Sequence, residues 1–341
     1  MPTVGRDFRC SVCGGSASHL SPVLRRYFCD EHFIDVIVER VRRSINKYKL
    51  ADKLKRVVVG LSGGKDSVTM LSVLQRLANE FNFEILAVHI NLGIGEFSKY
   101  SEQICRELAR KLDVPLLILD LGDLLGVTLP QIVRRLKRPA CSVCGTIKRY
   151  LLNVVGVEAC ATAVALGHNA DDIAAYILKN FLLQNLSAIR KHGPATDPLD
   201  SIAVGRVRPL YEVLEVETRS YVKAAKLPFV EIACPFKPRR YFEASIKKAL
   251  EFLEDEVRGL RLDFLRRIAK NLDVYPSPSE PLRACSTCGL ISSAEICAFC
   301  KLTAKVVGEP LGAFVRQRIR EAIASLGLRW CKESPKSSQH M

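Results

Sequence analysis

At 341 residues, 48% of them hydrophobic, the chain is long enough for one sizeable core with small satellites, which excludes a minimal single module. Lys and Arg total 51 against 36 Asp and Glu, a formal charge of +15, so a polyanion such as nucleic acid is the expected partner. The stretch before Cys13 lacks the apolar run of a secretory signal, and no segment approaches the roughly 18 to 20 apolar residues that span a bilayer, so a cytoplasmic protein without membrane association is expected, its 13 cysteines reduced and available for metal or redox chemistry.

Residues 1–33 form a Cys/His unit in which Cys10 and Cys13 make a CxxC pair, and Cys29 with His32 a CxxH pair. Four soft ligands at this spacing suit tetrahedral zinc. From Phe33 to about Lys49 a basic helix is expected, apolar at Ile34, Ile37, Val38, Val41 and Ile45. From Arg56 short apolar runs alternate with longer amphipathic ones, giving strand 56–61, helix 66–80, strand 84–91, helix 98–112 and strand 115–120. Ala163–Leu166 leads into Gly167, a helix over 170–183 and a segment of strand character over 201–210. A helix over 218–226 and the run Phe229–Ala233 continue the winding until Pro235 and Pro238 break it, and two charged helices follow between Tyr241 and Asn271. The expected fold is α/β: a doubly wound, mostly parallel sheet with ligands outside the carboxyl ends of its strands. Residues 275–281 hold three prolines and two serines, a linker composition. Beyond it lie a second Cys unit, a helix near 313–325 and a polar tail. The expected division is an N-terminal zinc module (1–33), a catalytic domain (34–274), a linker with a C-terminal zinc module (275–310), and a terminal helix and tail (311–341).

A buried strand runs straight into Ser62, Gly63, Gly64, Lys65, Asp66 and Ser67 and then a helix. Glycines expose backbone N–H groups to a phosphate, and the helix N-terminus adds partial positive charge. Lys65 and the Ser67 hydroxyl are further candidate donors. A Walker loop needs glycine where this chain has Val59, so the motif is of another kind; SGGKDS resembles the PP-loop of the ATP pyrophosphatases, which transfer AMP to a carbonyl oxygen. A second segment, Gly167, His168, Asn169, Ala170, Asp171 and Asp172, opens another helix on the same ligand-facing edge, where Asn169 and the aspartates also suit a helix cap. His89 ends a strand near the nucleotide edge and suits contact with adenine or ribose, or plain packing.

Cys285, Cys288, Cys297 and Cys300 form a four-cysteine ribbon, the strongest zinc pattern in the chain. Cys141 and Cys144 make a third CxxC inside the core, flanked by Arg134, Arg135, Lys137, Arg138, Lys148 and Arg149, with no local partner pair. Cys234, before Pro235, is the natural third member. Three cysteines without a fourth suit an iron–sulfur cluster with one open iron; a persulfide relay on the CxxC is the cluster-free alternative. Cys105 and Cys160 read as small core residues on helices.

The order CxxC with CxxH, SGGKDS, RPACSVCGTIKRY, GHNADD, RPLYEV, the cysteine before proline, and CxxC with CxxC resembles the TtcA/TtuA family of tRNA sulfurtransferases, and most closely the TtuA-type tRNA 2-thiouridine synthases, from Cys10 to Cys300. The resemblance implies a PP-loop, adenine nucleotide alpha-hydrolase-like fold and ATP-dependent, AMP-forming tRNA 2-thiolation. It implies a 4Fe-4S cluster on Cys141, Cys144 and Cys234, and ATP with Mg2+ among Gly60, Ser62, Asp66, Gly167 and Asp172. Lys148 and Asp172 would be catalytic, with Asp66 beside them. Sulfur would come from a ubiquitin-like thiocarboxylated carrier protein, and a homodimer is compatible with the resemblance. The T-loop uridine, position 54, is favoured over the wobble uridine, although no motif separates the two. Rival readings are a PP-loop ligase or amidotransferase acting on a small metabolite, and a non-enzymatic zinc-containing RNA-binding protein.

Overall fold

The structure, a computed structural model, describes residues 8–238, 241–277 and 281–328. Two short strands, β1 (His19–Ser21) and β2 (Arg26–Phe28), pair antiparallel and lead into α1 (Asp30–Lys47). Phe33, Ile37, Val41 and Ile45 recur every fourth residue of α1 and are fully buried, so one stripe of the helix joins the N-terminal unit to the core.

The winding then proceeds through β3 (Arg56–Gly60), α2 (Lys65–Phe81), β4 (Glu84–Asn91), α3 (Gly95–Leu112) and β5 (Leu116–Asp120). Three helices follow, α4 (Leu121–Leu125), α5 (Leu129–Leu136) and α6 (Ala140–Glu158), before β6 (Ala163–Ala165), α7 (Ala170–Leu182), α8 (Leu186–Ile189), β7 (Ala195–Thr196), β8 (Gly205–Val207) and α9 (Glu215–Ala224). The strands align as β5-β4-β3-β6-β8-β7, parallel except for the antiparallel edge strand β7. Val57 and Val59 point into one buried cluster and Val58 into the other. Period-two alternation with both faces covered explains why β3 reads as an unbroken apolar run.

After α9 come α10 (Phe242–Glu256) and α11 (Leu260–Lys270), which pack on α7. The last unit consists of β9 (Arg283–Ala284), β10 (Ile291–Ser292), α12 (Ala298–Val307) and α13 (Gly312–Ser325). Its cysteines, Phe299, Val315 and Ile319 share one buried cluster with Val58, Val164 and α6. Tyr150 of α6 stacks on Phe299 at 3.8 Å and donates its hydroxyl to the Gly312 carbonyl at 3.0 Å. Among the described residues no helix is long and apolar enough to cross a membrane.

The structure corrects several expectations. Phe229–Ala233 is no strand: Val230 donates its N–H to the Gly63 carbonyl at 2.9 Å and crosses beneath the glycine loop, while the β7–β8 pair takes the sheet edge. The segment 201–210 contributes only the three residues of β8. Helices α4, α5 and α6 have no counterpart in the sequence reading. Cys105 is buried on α3, but Cys160 is not a core residue on a helix; it sits exposed just past α6 in a left-handed turn, φ 51°. Cys331, the tail and part of the proline-rich linker lie outside the described residues.

Candidate functional site

Strand order reverses between β3 and β6, and the loops leaving their carboxyl ends flank one crevice. A doubly wound sheet binds ligands at such a point. The first loop turns at Gly63, whose φ of +82° and approach to the Ser101 carbonyl, 3.2 Å from where a Cβ would stand, both require glycine. Ser67 Oγ accepts from the Ser62 N–H at 3.2 Å and donates to the Gly64 carbonyl at 3.0 Å, closing the loop on itself. Gly64 caps α2 with no side-chain acceptor, so the amides of the first turn remain available to an anion.

Asp66 is held from three directions. Its Oδ1 accepts from Thr218 Oγ1 of α9 at 2.6 Å and from Asn169 Nδ2 at 3.1 Å, and its Oδ2 accepts from Lys65 Nζ at 2.8 Å. Gly167 presses on the loop: a Cβ there would stand 3.1 Å from both Ser67 Cα and Ser67 N. Backbone cannot swing aside as a side chain can, so Gly167→Ala is expected to strain the loop by ~1–3 kcal/mol. The corresponding result is a fall in ATP affinity of roughly 5- to 150-fold in an equilibrium binding assay. An unchanged dissociation constant would show that the two loops are not tightly apposed.

Asn169 caps α7 by accepting from the Asp172 N–H at 3.0 Å. Asp172 pairs with Lys247 of α10, and the same ammonium donates to Glu215 at 2.7 Å. Burial alone would raise Glu215, but Lys247 and Lys65 hold its carboxyl down at about 2. Lys65, paired with Asp66 and with Glu215 at 3.1 Å, is turned into this network.

A cavity of about 660 Å³ opens over the crevice and is walled by Gly60, Ser62, Gly64, Asp66, Ser67, His89, Gly167 and Lys148, among others. His89 is buried, its Nδ1 3.0 Å from the Leu61 carbonyl and 3.2 Å from Cys105 Sγ, with no partner for Nε2 among the described residues. Of the residues singled out from the sequence, Gly63, Lys65 and Asp172 stand behind the wall and shape it. A second cavity, about 290 Å³, holds Cys141, Cys144 and Cys234, and shares Ser62, Gly64, Phe97 and Lys148 with the first. Cys141 and Cys144 lie one turn apart at the start of α6, and Cys234 comes from the loop that crosses beneath Gly63.

Two four-ligand sets are already gathered. The donor atoms of Cys10, Cys13, Cys29 and His32, and those of Cys285, Cys288, Cys297 and Cys300, all lie within 4.8 Å of one another. Each fits a single tetrahedral ion with no open position. Among the described residues the three core thiols form no such tight set. A lone ion draws its ligands together, whereas a cuboidal cluster holds them on separate corners, so three thiols around a shared cavity fit the cluster better.

Sequence reasoning missed the groups that arrive from elsewhere: Thr218 and Glu215 of α9, Lys247 of α10, and Tyr176, His192, Arg206 and Arg208 in the far wall of the large cavity. Arg208 lies in the RPLYEV stretch, whose arginine was the one available signal. Its guanidinium donates to the carbonyls of Gly193 at 2.6 Å and Lys191 at 2.8 Å.

A family model for the PP-loop domain matches residues 37–250. The tRNA-5-methyluridine(54) 2-sulfurtransferase of Pyrococcus horikoshii is 35% identical over 295 residues, which cover 86% of this chain and 93% of that protein. Its namesake from Thermus thermophilus is 34% identical over 297 residues, covering 86% and 90%. In three dimensions the chain resembles the U34-tRNA thiolase NcsA from Methanococcus maripaludis, solved with its [4Fe-4S] cluster, with a TM-score of 0.72, 25% identity, and coverage of 90% of this chain and 97% of that one.

Proposed function

The chain belongs to the PP-loop family, and from that premise we propose that it is an ATP-dependent tRNA-uridine 2-sulfurtransferase. One observation carries the reading: Lys148 and the glycine loop stand in the walls of both cavities, so a nucleotide-activating site and a three-thiol site meet at one ammonium. A metabolite ligase of the same fold has no need of the second cavity.

The C2 oxygen of uridine is a poor leaving group. When it attacks the α-phosphorus of ATP, pyrophosphate departs and the oxygen becomes part of an adenylate. Sulfide then adds at C2, the C2–O bond breaks, and AMP leaves with the oxygen. The amides at the α2 N-terminus and the Ser67 hydroxyl bind the triphosphate, and Asp66 offers its carboxylate to the accompanying Mg2+. Lys148 faces the reacting oxygen from the thiol side. Cys141, Cys144 and Cys234 would hold a 4Fe-4S cluster by three thiolates, and such a cluster would supply a site for an external sulfide.

The two closed four-ligand sets hold structural zinc. The T-loop uridine is the preferred acceptor, because the relatives at 35% and 34% identity are named for position 54. A ubiquitin-like thiocarboxylated carrier as sulfur donor, a homodimer and a cytoplasmic location complete the reading on the strength of the family.

Anaerobic reconstitution with iron and sulfide, followed by tRNA thiolation with ATP, tests it. In Cys234→Ala both the cluster absorbance and the thiolated tRNA are expected to vanish. Thiolation that survives without a cluster and fails only in Cys141→Ala or Cys144→Ala would replace the cluster by a persulfide. No thiolation by the wild type with any sulfur donor would sink the assignment.

A further inference from the structure

The larger cavity straddles the point of strand reversal, and its two halves differ in chemistry. On the β3–β4 side the wall is Gly60, Leu61, Val88, His89 and Ile90, apolar groups and strand backbone suited to a neutral adenine and ribose. On the β6–β8 side it is aromatic and cationic. Arg206 is paired in register with Val164, and Val164 with Val58. Both valines project to the α6 face of the sheet. Arg206 therefore leaves the sheet toward Arg149 of α6, two strand spacings or about 10 Å from β3.

Neither Arg149 nor Arg206 has a carboxylate partner among the described residues. Burial, and then the nearby Arg149, lower Arg206 from its ordinary value. Both guanidinium groups line the same cavity, where like charges are costly until an anion neutralises them. The triphosphate of ATP already has the uncapped amides of α2, which leaves these guanidinium groups for a different phosphate.

Beside them the Tyr176 and His192 rings stack with centroids 5.4 Å apart and planes 25° from parallel, and His168 meets Tyr176 edge-on at 5.7 Å. Burial, with Arg208 adding to it, pulls both histidines down to about 4, so near neutral pH they are uncharged rings. His168 Nδ1 is buried in this wall with no hydrogen-bond partner among the described residues. Arg208, spent on the carbonyls of Lys191 and Gly193, fixes the loop that presents His192.

We propose that this half of the cavity is the acceptor-nucleotide subsite: the Tyr176–His192 pair stacks an extruded uracil, and Arg149 with Arg206 grips a phosphate of the same RNA strand. Enzymes that act on a base take it out of its stack, and aromatic platforms flanked by arginines are how single-stranded nucleotides are held. The inference rests on the thiolase reading and adds to it where the substrate sits.

The test uses full-length reconstituted protein and a tRNA transcript containing the acceptor uridine, with a non-hydrolysable ATP analogue for the binding measurements and ATP with a sulfide donor for turnover. ATP affinity, tRNA affinity and kcat/KM for tRNA are measured at several salt concentrations. Tyr176→Ala is expected to reduce kcat/KM for tRNA roughly 5- to 150-fold, with ATP affinity changed less than twofold and Tyr176→Phe close to wild type. Arg206→Gln should instead flatten the slope of log affinity for tRNA against log salt by about 0.7 to 0.9, the signature of one lost phosphate contact. Tyr176→Ala should leave that slope alone. If ATP affinity falls in step with tRNA in either variant, the half-cavity belongs to ATP and the inference is overturned. A Tyr176→Phe variant as impaired as Tyr176→Ala would also refute the stacking role. Should the wild type bind tRNA and ATP yet make no thiouridine, the thiolase reading fails, while the tRNA affinities of the same variants still decide the subsite.

Discussion

Lys148→Ala is expected to lower kcat for tRNA thiolation by about 10²- to 10³-fold, the loss typical of one well-aimed donor to a developing oxyanion, ~3–4 kcal/mol. The size of the effect follows from position. Lys148 lies two turns along α6 from Cys141 and one from Cys144, so the helix that carries the thiols also aims the ammonium. It stands in both cavity walls and makes no ion pair among the described residues, unlike Lys65 and Lys247, which are committed to Asp66, Asp172 and Glu215. The variant should therefore keep its cluster absorbance and bind ATP within about threefold of wild type. Those two controls separate loss of the donor from loss of the site. A kcat within threefold of wild type would assign the charge stabilisation to the loop amides alone.

With the proposed zinc on Cys285, Cys288, Cys297 and Cys300, its removal is expected to unfold more than the C-terminal unit. Structural zinc in small modules is worth ~10–16 kcal/mol of folding free energy, and here the four sulfurs are buried in the same cluster as Val58, Val164 and α6. The coupling runs through close contacts. A Cβ on Gly312 would stand 2.4 Å from Cys300 Sγ and 2.7 Å from Cys288 Cβ, so α13 begins directly against the metal set. Tyr150 ties α6 to both Phe299 and Gly312. Calorimetry after chelation, or on Cys288→Ser, should show the main unfolding transition itself moving down, with thiolation lost at temperatures where the holoprotein is active. A separate small transition, leaving the main one in place, would mean that the unit is an independent appendage.

The parts that were legible in the sequence are those whose chemistry is covalently local. SGGKDS, GHNADD and the CxxC pairs fall within a few residues, and a strand leading into a helix positions each without help from the rest of the chain. The three thiols of the core divide along that line. Cys141 and Cys144 announce themselves, whereas Cys234 reaches them only because its segment bonds once to Gly63 and then passes under the loop instead of joining the sheet. An apolar run with a single backbone partner has the composition of a strand and no ladder to make it one. Helix α6 was invisible for a different reason: it starts at Pro139 with no side-chain cap, and its buried residues include Tyr150, Leu151, Asn153, Val154, Val155 and Gly156, nearly all round the helix, so no polar face marks its period. The partners of the motif carboxylates, Thr218 for Asp66 and Lys247 for Asp172, lie 152 and 75 residues away. Nothing local points to them.

Asp66 also sets an order of events for the newly made chain. It belongs to the glycine loop, yet its hydroxyl partner Thr218 lies 152 residues downstream, beside Glu217, which accepts from Ser21 of β1 at 2.9 Å and pairs with Arg40 of α1. While the ribosome is still making the middle of the protein, the loop carries a carboxylate without its hydroxyl donor, and α1 carries an arginine without its acid. Emergence of α9 resolves both at once. A nascent chain that stops before Thr218 has the whole phosphate-binding motif but lacks one of the contacts that fix its aspartate, so that contact and the Glu217 anchor of β1 and α1 both wait for α9.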